Sequence, residues 1–183
     1  NEEGLLTENY GEARRINAGS PEPLWTGGFN TELSWRGISL GIQLEARYGN
    51  KVLNQDRSLF EADGSYGDSN IWKGAMNYWK KPGDTNVLPK PVYNNSSNSS
   101  AISTRYLEDG SYLRIKDITL AYSLPSKWTK KALMSGVRIY ASALNLYTFH
   151  NMNYWDPEHG TSGATIISYP MTRSMIVGVD ITF

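Results

Sequence analysis

Apolar and polar positions alternate most regularly between Arg173 and Phe183. Met175, Val177, Val179, Ile181 and Phe183 are apolar. Ser174, Gly178, Asp180 and Thr182 between them are small or polar, and only Ile176 breaks the order. Period two over this length predicts a strand with one apolar and one wet face. The same pattern recurs upstream. From Gly27 onward, Phe29, Thr31, Leu33 and Trp35 share one face, with Asn30, Glu32 and Ser34 on the other. Arg36-Gly37 forms a two-residue turn. Ile38, Leu40, Ile42, Leu44, Ala46 and Tyr48 then alternate with Ser39, Gly41, Gln43, Glu45 and Arg47. The result is a hairpin, strands 27–36 and 38–48, with a strongly polar second face.

Two more strands follow the same rule. In 112–124, Ile118, Leu120, Tyr122 and Leu124 oppose Asp117, Thr119, Ala121 and Ser123. Before Asp117 the phase is less clean, with Leu113 and Ile115 set against Arg114 and Lys116, and this part is expected to stand above the apolar band. In 136–146, Val137, Ile139, Ala141 and Ala143 oppose Arg138, Tyr140 and Ser142. The last strand is 173–183.

The connections differ in kind. Residues 1–23 are polar, end in Pro21 and Pro23, and read as a loop. Residues 49–111 have no convincing period and include an Asn/Ser-rich run from Asn94 to Ser100. Ile71, Trp72, Ala75, Met76 and Trp79 fall near helical spacing and allow a short helix around 69–80. Residues 125–135 are a turn with room for one helical turn, rich in Lys127, Lys130 and Lys131. Residues 147–172 form a second long loop. A loop as long as 49–111 is abnormal in a compact soluble domain. Strand, short turn, strand, long loop is the alternation of an up-and-down outer-membrane barrel, with about ten residues per crossing. The fold class is therefore read as all-β, an antiparallel up-and-down transmembrane β-barrel. The long loops lie outside and the short turns on the periplasmic side.

Composition narrows the classes. Eighteen basic and eighteen acidic residues cancel, with no basic patch for nucleic acid, so that partner is set aside. The absence of cysteine excludes a disulfide framework and a Cys-ligated metal site. Apolar residues make up only 39%, yet there are twelve Tyr and six Trp. No apolar run reaches the length of a membrane helix and no signal peptide is present. Asn1-Glu2-Glu3-Gly4 reads as the middle of a loop, which favours a fragment of a longer exported protein.

The run Tyr106-Leu107-Glu108-Asp109-Gly110-Ser111-Tyr112-Leu113-Arg114-Ile115-Lys116-Asp117-Ile118-Thr119-Leu120 resembles a hallmark stretch of SusC/RagA-type TonB-linked outer-membrane transporters. Ser142-Ala143-Leu144-Asn145-Leu146-Tyr147-Thr148-Phe149 and Asp156-Pro157-Glu158 resemble the family's next landmark. Pro23-Leu24-Trp25-Thr26-Gly27-Gly28-Phe29, Gly49-Asn50-Lys51-Val52 and the closing aromatic strand resemble others. The resemblance covers essentially the whole chain, although the family is several times longer. It implies the last five strands of a twenty-two-stranded barrel, without plug or TonB box. Five strands have open edges and are expected to need the rest of the barrel. It further implies TonB-driven import of a glycan or peptide across the outer membrane of a Gram-negative bacterium. A SusD-like surface lipoprotein would serve as lid, and the TonB complex would engage the missing part. No cofactor and no enzymatic activity are expected. The rival class is a soluble, secreted β-sandwich that binds carbohydrate through aromatic loops. The two differ in whether the apolar face meets lipid or a protein core.

Candidate contact residues for cargo or lid are Trp72, Tyr78, Trp79 and Tyr93 in the first long loop and Tyr154 and Trp155 in the second. Long loops often carry binding, while aromatics also serve as packing residues. Asp156 and Glu158 with His159 have the oxygen donors for a divalent cation. The blander reading is an Asp-Pro turn with solvated charges, and it is preferred. Glu32, Gln43, Glu45, Arg47, Arg138 and Asp180 are expected to line the lumen or touch the plug. Glu108-Asp109 and the pair Asp156/Glu158 lack the rigid frame that a paired-carboxylate hydrolase needs.

Overall fold

The computed structural model describes residues 2–5, 9–67, 70–85, 87–159, 163–165 and 169–183; the side chain of His159 lies outside the described set. The chain divides into two compact units.

One unit comprises residues 22–50, 109–158 and 169–183. Its frame is a five-stranded antiparallel sheet of β1 (Trp25–Trp35), β2 (Ile38–Tyr48), β5 (Tyr112–Ser123), β6 (Gly136–His150) and β8 (Ser174–Thr182). Each strand pairs with the next in that order, so the sheet is a meander. Arg36 and Gly37 both have positive φ (49° and 87°), the backbone of a two-residue hairpin turn matched to strand twist. Register aligns the apolar positions into rows. Leu33, Leu40, Leu120, Ala141 and Val177 form one row across all five strands. Trp35, Ile38, Tyr122, Ile139 and Val179 form the next.

Among the described residues nothing covers this apolar face. Leu33 is 62% exposed, Leu120 53% and Val177 78%. In a β-sandwich a second sheet would bury these rows about 10 Å away, so the rival class has no support. The opposite face is polar, with Asn30, Gln43 and Asp117 in one row and Glu32, Gly41, Thr119 and Ser142 in the next. Thr119 and Ser142 both hydrogen-bond to Asp117, at 2.8 and 2.7 Å. On the same face Gly178 lies beneath the Tyr140 ring, where any Cβ would come within 2.4 Å of it.

β6 extends to His150, four residues beyond the expected end at 146. Asn145, at φ 50°, takes up the left-handed conformation of a bulge, and pairing resumes beyond it with Tyr147 opposite Ile115. The short connection 125–135 contains the helical turn α2 (Ser126–Thr129) followed by a 3-10 turn, Lys130–Ala132.

The other unit comprises residues 1–21, 51–108 and 159–168, within the described set. The absence of period in 49–111 does not mean absence of structure. β3 (Lys51–Asn54) runs into the short helix α1 (Gln55–Phe60), and β4 (Leu107–Asp109) and β7 (Ala164–Thr165) flank β3 in a small sheet. β3 and β7 are parallel, with Leu53 opposite Ala164 and Asn54 opposite Thr165. The two long loops thus fold together. Asn54 starts α1 by accepting the Arg57 N–H at 3.3 Å, as an N-cap does. Where the spacing allows a short helix around 69–80, the described residues form only a 3-10 turn, Lys73–Met76; residue 69 lies outside the described residues. Trp72 stacks on Phe60 (5.0 Å, 5°), and the backbone around Tyr78 forms a β-bridge with Leu88, an extended pairing that a helix through these residues would not allow.

Candidate binding site on the polar face

A phase slip in β5 builds the site. Asp117 pairs with Gln43 on β2, but Ile115 pairs with the next residue, Leu44, so Lys116 is an extra residue. On the other side Asn145 and Leu146 of β6 together face Lys116, since Asp117 opposes Leu144 and Ile115 opposes Tyr147. A bulge reverses which residues point to which side. Beyond it Leu113 and Ile115 join the apolar face with Tyr147 and Phe149, whose rings meet edge-on at 4.7 Å. Tyr112 and Arg114 turn to the polar face. This is the physical content of the untidy alternation before Asp117.

Arg114 is the hub, with no exposed surface. Its two terminal nitrogens donate to Asp156 and Glu158, and its Nε donates to Thr148 Oγ1 at 2.9 Å. Two carboxylates and a hydroxyl satisfy the planar guanidinium fork, which is how a cation is tolerated out of water. Lys116 Nζ bridges Glu158 and Glu45, 3.1 Å from each. Tyr112 donates its hydroxyl to Glu45 at 2.7 Å, and the Arg47 and Arg114 guanidiniums lie over its ring at 5.8 and 5.4 Å. Asp156 caps the 3-10 turn Pro157–His159 by accepting the Glu158 N–H at 2.9 Å. The Asp-Pro turn therefore exists, but its acids are not solvated charges. They are spent on Arg114 and Lys116, which also leaves them poorly placed as cation ligands.

Beside this network is a cleft of about 280 Å³ lined by Arg114, Thr148, His150, Tyr154, Trp155 and Arg173, among others. Tyr154 is more than half exposed and holds φ 69°, a conformation rare for an aromatic residue. Of the six aromatics singled out by sequence, the cleft brings together Tyr154 and Trp155. The other four do not converge. Trp72 packs on Phe60, Tyr78 lies under the Lys80 ammonium (5.4 Å), Trp79 lines a separate shallow cleft with Leu88 and Arg105, and Tyr93 is exposed. Sequence reasoning missed Arg114, Lys116, Thr148 and Arg173. The slip of phase at Lys116 was the one local signal for the first two. Glu32 and Gln43 line a shallow groove on the same polar face, and Arg138 pairs with Asp180 at 3.1 Å across β6 and β8.

The loop unit has its own buried ion network. Arg57 binds Glu61 at 2.9 Å and Glu108 at 2.6 Å, and Asn54 donates to Glu108 at 3.4 Å. Burial works to lower the Arg57 pKa, but hydrogen bonds and charge from the two glutamates outweigh it and raise the value. Burial pushes the neighbouring Tyr106 phenol up.

TonB-dependent receptor P3 of Formosa agariphila is 30% identical over 182 residues, covering 93% of this chain and 17% of the relative. TonB-dependent receptor P26 of the same organism is 27% identical, over 90% of this chain and 17% of the relative. Among solved structures, the RagAB peptide importer in its closed-closed state superposes with a TM-score of 0.78 at 30% identity, over 91% of this chain and 18% of that one. The chain is a segment of the SusC/RagA-type TonB-dependent receptor family. The open-open state of RagAB matches with a TM-score of 0.76 at 29% identity, over 92% of this chain and 19% of that one. The segment thus spans about a sixth of the receptors it matches. No family model matches it. The antiparallel meander corresponds to part of the barrel of these receptors.

Proposed function

We propose that this segment is part of the wall of an outer-membrane barrel that imports a large nutrient with energy from TonB. The observation that carries the reading is the two-faced sheet. Its apolar rows stand exposed on one side, and the polar rows on the other carry matched charges, as a strand between lipid and a wet lumen requires. Both edge strands, β1 and β8, leave backbone groups to be met by further strands of the same barrel. The similarity to RagAB supports an oligopeptide as cargo ahead of an oligosaccharide, and a SusD-like surface lipoprotein as lid.

In this reading Arg114, Asp156, Glu158 and Lys116 anchor the loop after β6 to the lumen wall. They thereby position Tyr154 and Trp155 at the mouth for contact with cargo or lid. Trp79 and Tyr93 are proposed as outlying contacts of the loop unit, whereas Trp72 and Tyr78 support the loop. The test is fractionation of the native species carrying this segment, followed by uptake of labelled oligopeptide and oligosaccharide. Location in the outer membrane of a Gram-negative cell is expected, with peptide accumulation abolished by a protonophore or by loss of TonB. A soluble native species would overturn the reading, and uptake of the saccharide alone would reverse the order of cargoes.

A further inference from the structure

The two short turns lie at one end of the sheet. Ser123 N–H donates to the Gly37 carbonyl at 2.7 Å, which joins the β1–β2 turn to the β5–β6 connection. Ser135 N–H donates to the Thr182 carbonyl at 2.7 Å, which brings in the end of β8. This rim is rich in exposed apolar side chains: Trp35, Trp128 at 58%, Leu133 at 90% and Phe183 at 87%. It also carries Arg36, Lys127, Lys130 and Lys131, all exposed. Neither Arg36-Gly37 nor residues 124–135 contain an acid. Among the described residues none of the three lysines has an ion pair, while Arg36 lies over the Trp35 ring at 4.9 Å. Leu133 holds φ 58°, a left-handed conformation unfavourable for leucine, with its side chain almost wholly in the open. A rim that only faced water would gain nothing from these groups.

We infer that this rim docks onto the headgroup layer of a phospholipid leaflet and binds its anionic phosphodiesters. Trp128 and Leu133 enter the acyl boundary in line with the outward Tyr122, Leu124 and Ile139. The lysines supply four uncompensated positive charges together with Arg36. Aromatic rings settle at the headgroup level, and clustered cations next to a membrane segment attract acidic lipid. The inference rests on the barrel reading above.

The test uses the full-length receptor in nanodiscs of phosphatidylethanolamine with a minority of phosphatidylglycerol, with lipids retained on release counted by native mass spectrometry. Wild type is expected to retain phosphatidylglycerol in excess of its nanodisc share. The triple variant Lys127→Gln, Lys130→Gln, Lys131→Gln should lose this preference by tenfold or more, at roughly fivefold per charge. The matching Lys→Arg triple should keep it. Heat-modifiable gel migration first verifies that each variant is a folded barrel; a receptor that never embeds overturns the barrel reading, which is a different result. Retention in simple nanodisc proportion by wild type, or unchanged retention by the Gln triple, would overturn the lipid site. Loss of a bound acidic protein instead of lipid in the Gln triple would do the same and assign the rim to that partner.

Discussion

Arg114 on β5 donates its guanidinium to Asp156, a residue 42 positions further along the chain, from a side chain with no exposed surface. Glu158 takes the other terminal nitrogen. The link ties the loop after β6, with Tyr154 and Trp155 on it, to the polar face of the sheet.

Arg114→Ala leaves Asp156 without its cation and Glu158 with Lys116 alone. Breaking a buried pair in this way costs on the order of 3 kcal/mol. The expected outcome is protease sensitivity near Tyr154 in the folded receptor, with reduced uptake, while Arg114→Lys recovers only part because it cannot bind both carboxylates. Resistance of the Ala variant equal to wild type would remove the latch.

Ile42→Arg places a charge on the apolar face, which meets lipid in the proposed barrel; a charge at a barrel midplane costs about 2–4 kcal/mol. Assembly in the outer membrane should fail. Gln43→Arg, one residue away on the polar face, should assemble. Equal assembly of both would show that the two faces are not lipid and lumen.

Asn145 carries the bulge at φ 50°, and its Nδ2 donates to the Thr172 carbonyl at 3.1 Å. Asn145→Gly retains the backbone and should shift the temperature of band conversion on heated gels little. Asn145→Val forces a β-branched residue into the left-handed region and should lose roughly 1–2 kcal/mol. If the two variants convert together, the bulge does not depend on this residue.

Arg57→Ala removes the cation shared by Glu61 and Glu108, both less than 10% exposed, inside the loop unit. Amide hydrogen exchange over residues 51–63 and 105–108 should accelerate by orders of magnitude while the sheet stays protected. Because the glutamates raise the Arg57 pKa above its ordinary value, the guanidinium stays charged across the neutral range, and this network should not titrate through arginine there.

Much of the frame is local and so was legible in sequence. The side-chain period of a strand is two, and a residue such as Leu40 or Val177 declares its face through its neighbours alone. The change of phase before Asp117 was visible too, but it was read as a part standing above the apolar band, whereas pairing shows it to be a bulge that carries Leu113 and Ile115 onto the apolar face. The short helix that spacing allowed around 69–80 shows the limit of the same logic. Helical spacing of Trp72, Ala75 and Trp79 was compatible with a helix face, but Phe60 takes the Trp72 ring and Leu88 takes the backbone of residues 77–79, both from outside the segment.

By itself, then, the sequence determined the five strands of the meander, their two faces and the short turns between them, because each follows from a repeat or turn spanning a few residues; the three short strands β3, β4 and β7 carry no such repeat and were read as loop. Only the tertiary structure decided that Arg114 meets Asp156 and Glu158, that Asn54 and Thr165 pair on parallel strands, and that Tyr154 and Trp155 share a cleft while Trp72 does not. Those contacts join residues tens of positions apart. Their energy depends on burial and on the fork geometry of a guanidinium, neither of which leaves a period in the chain.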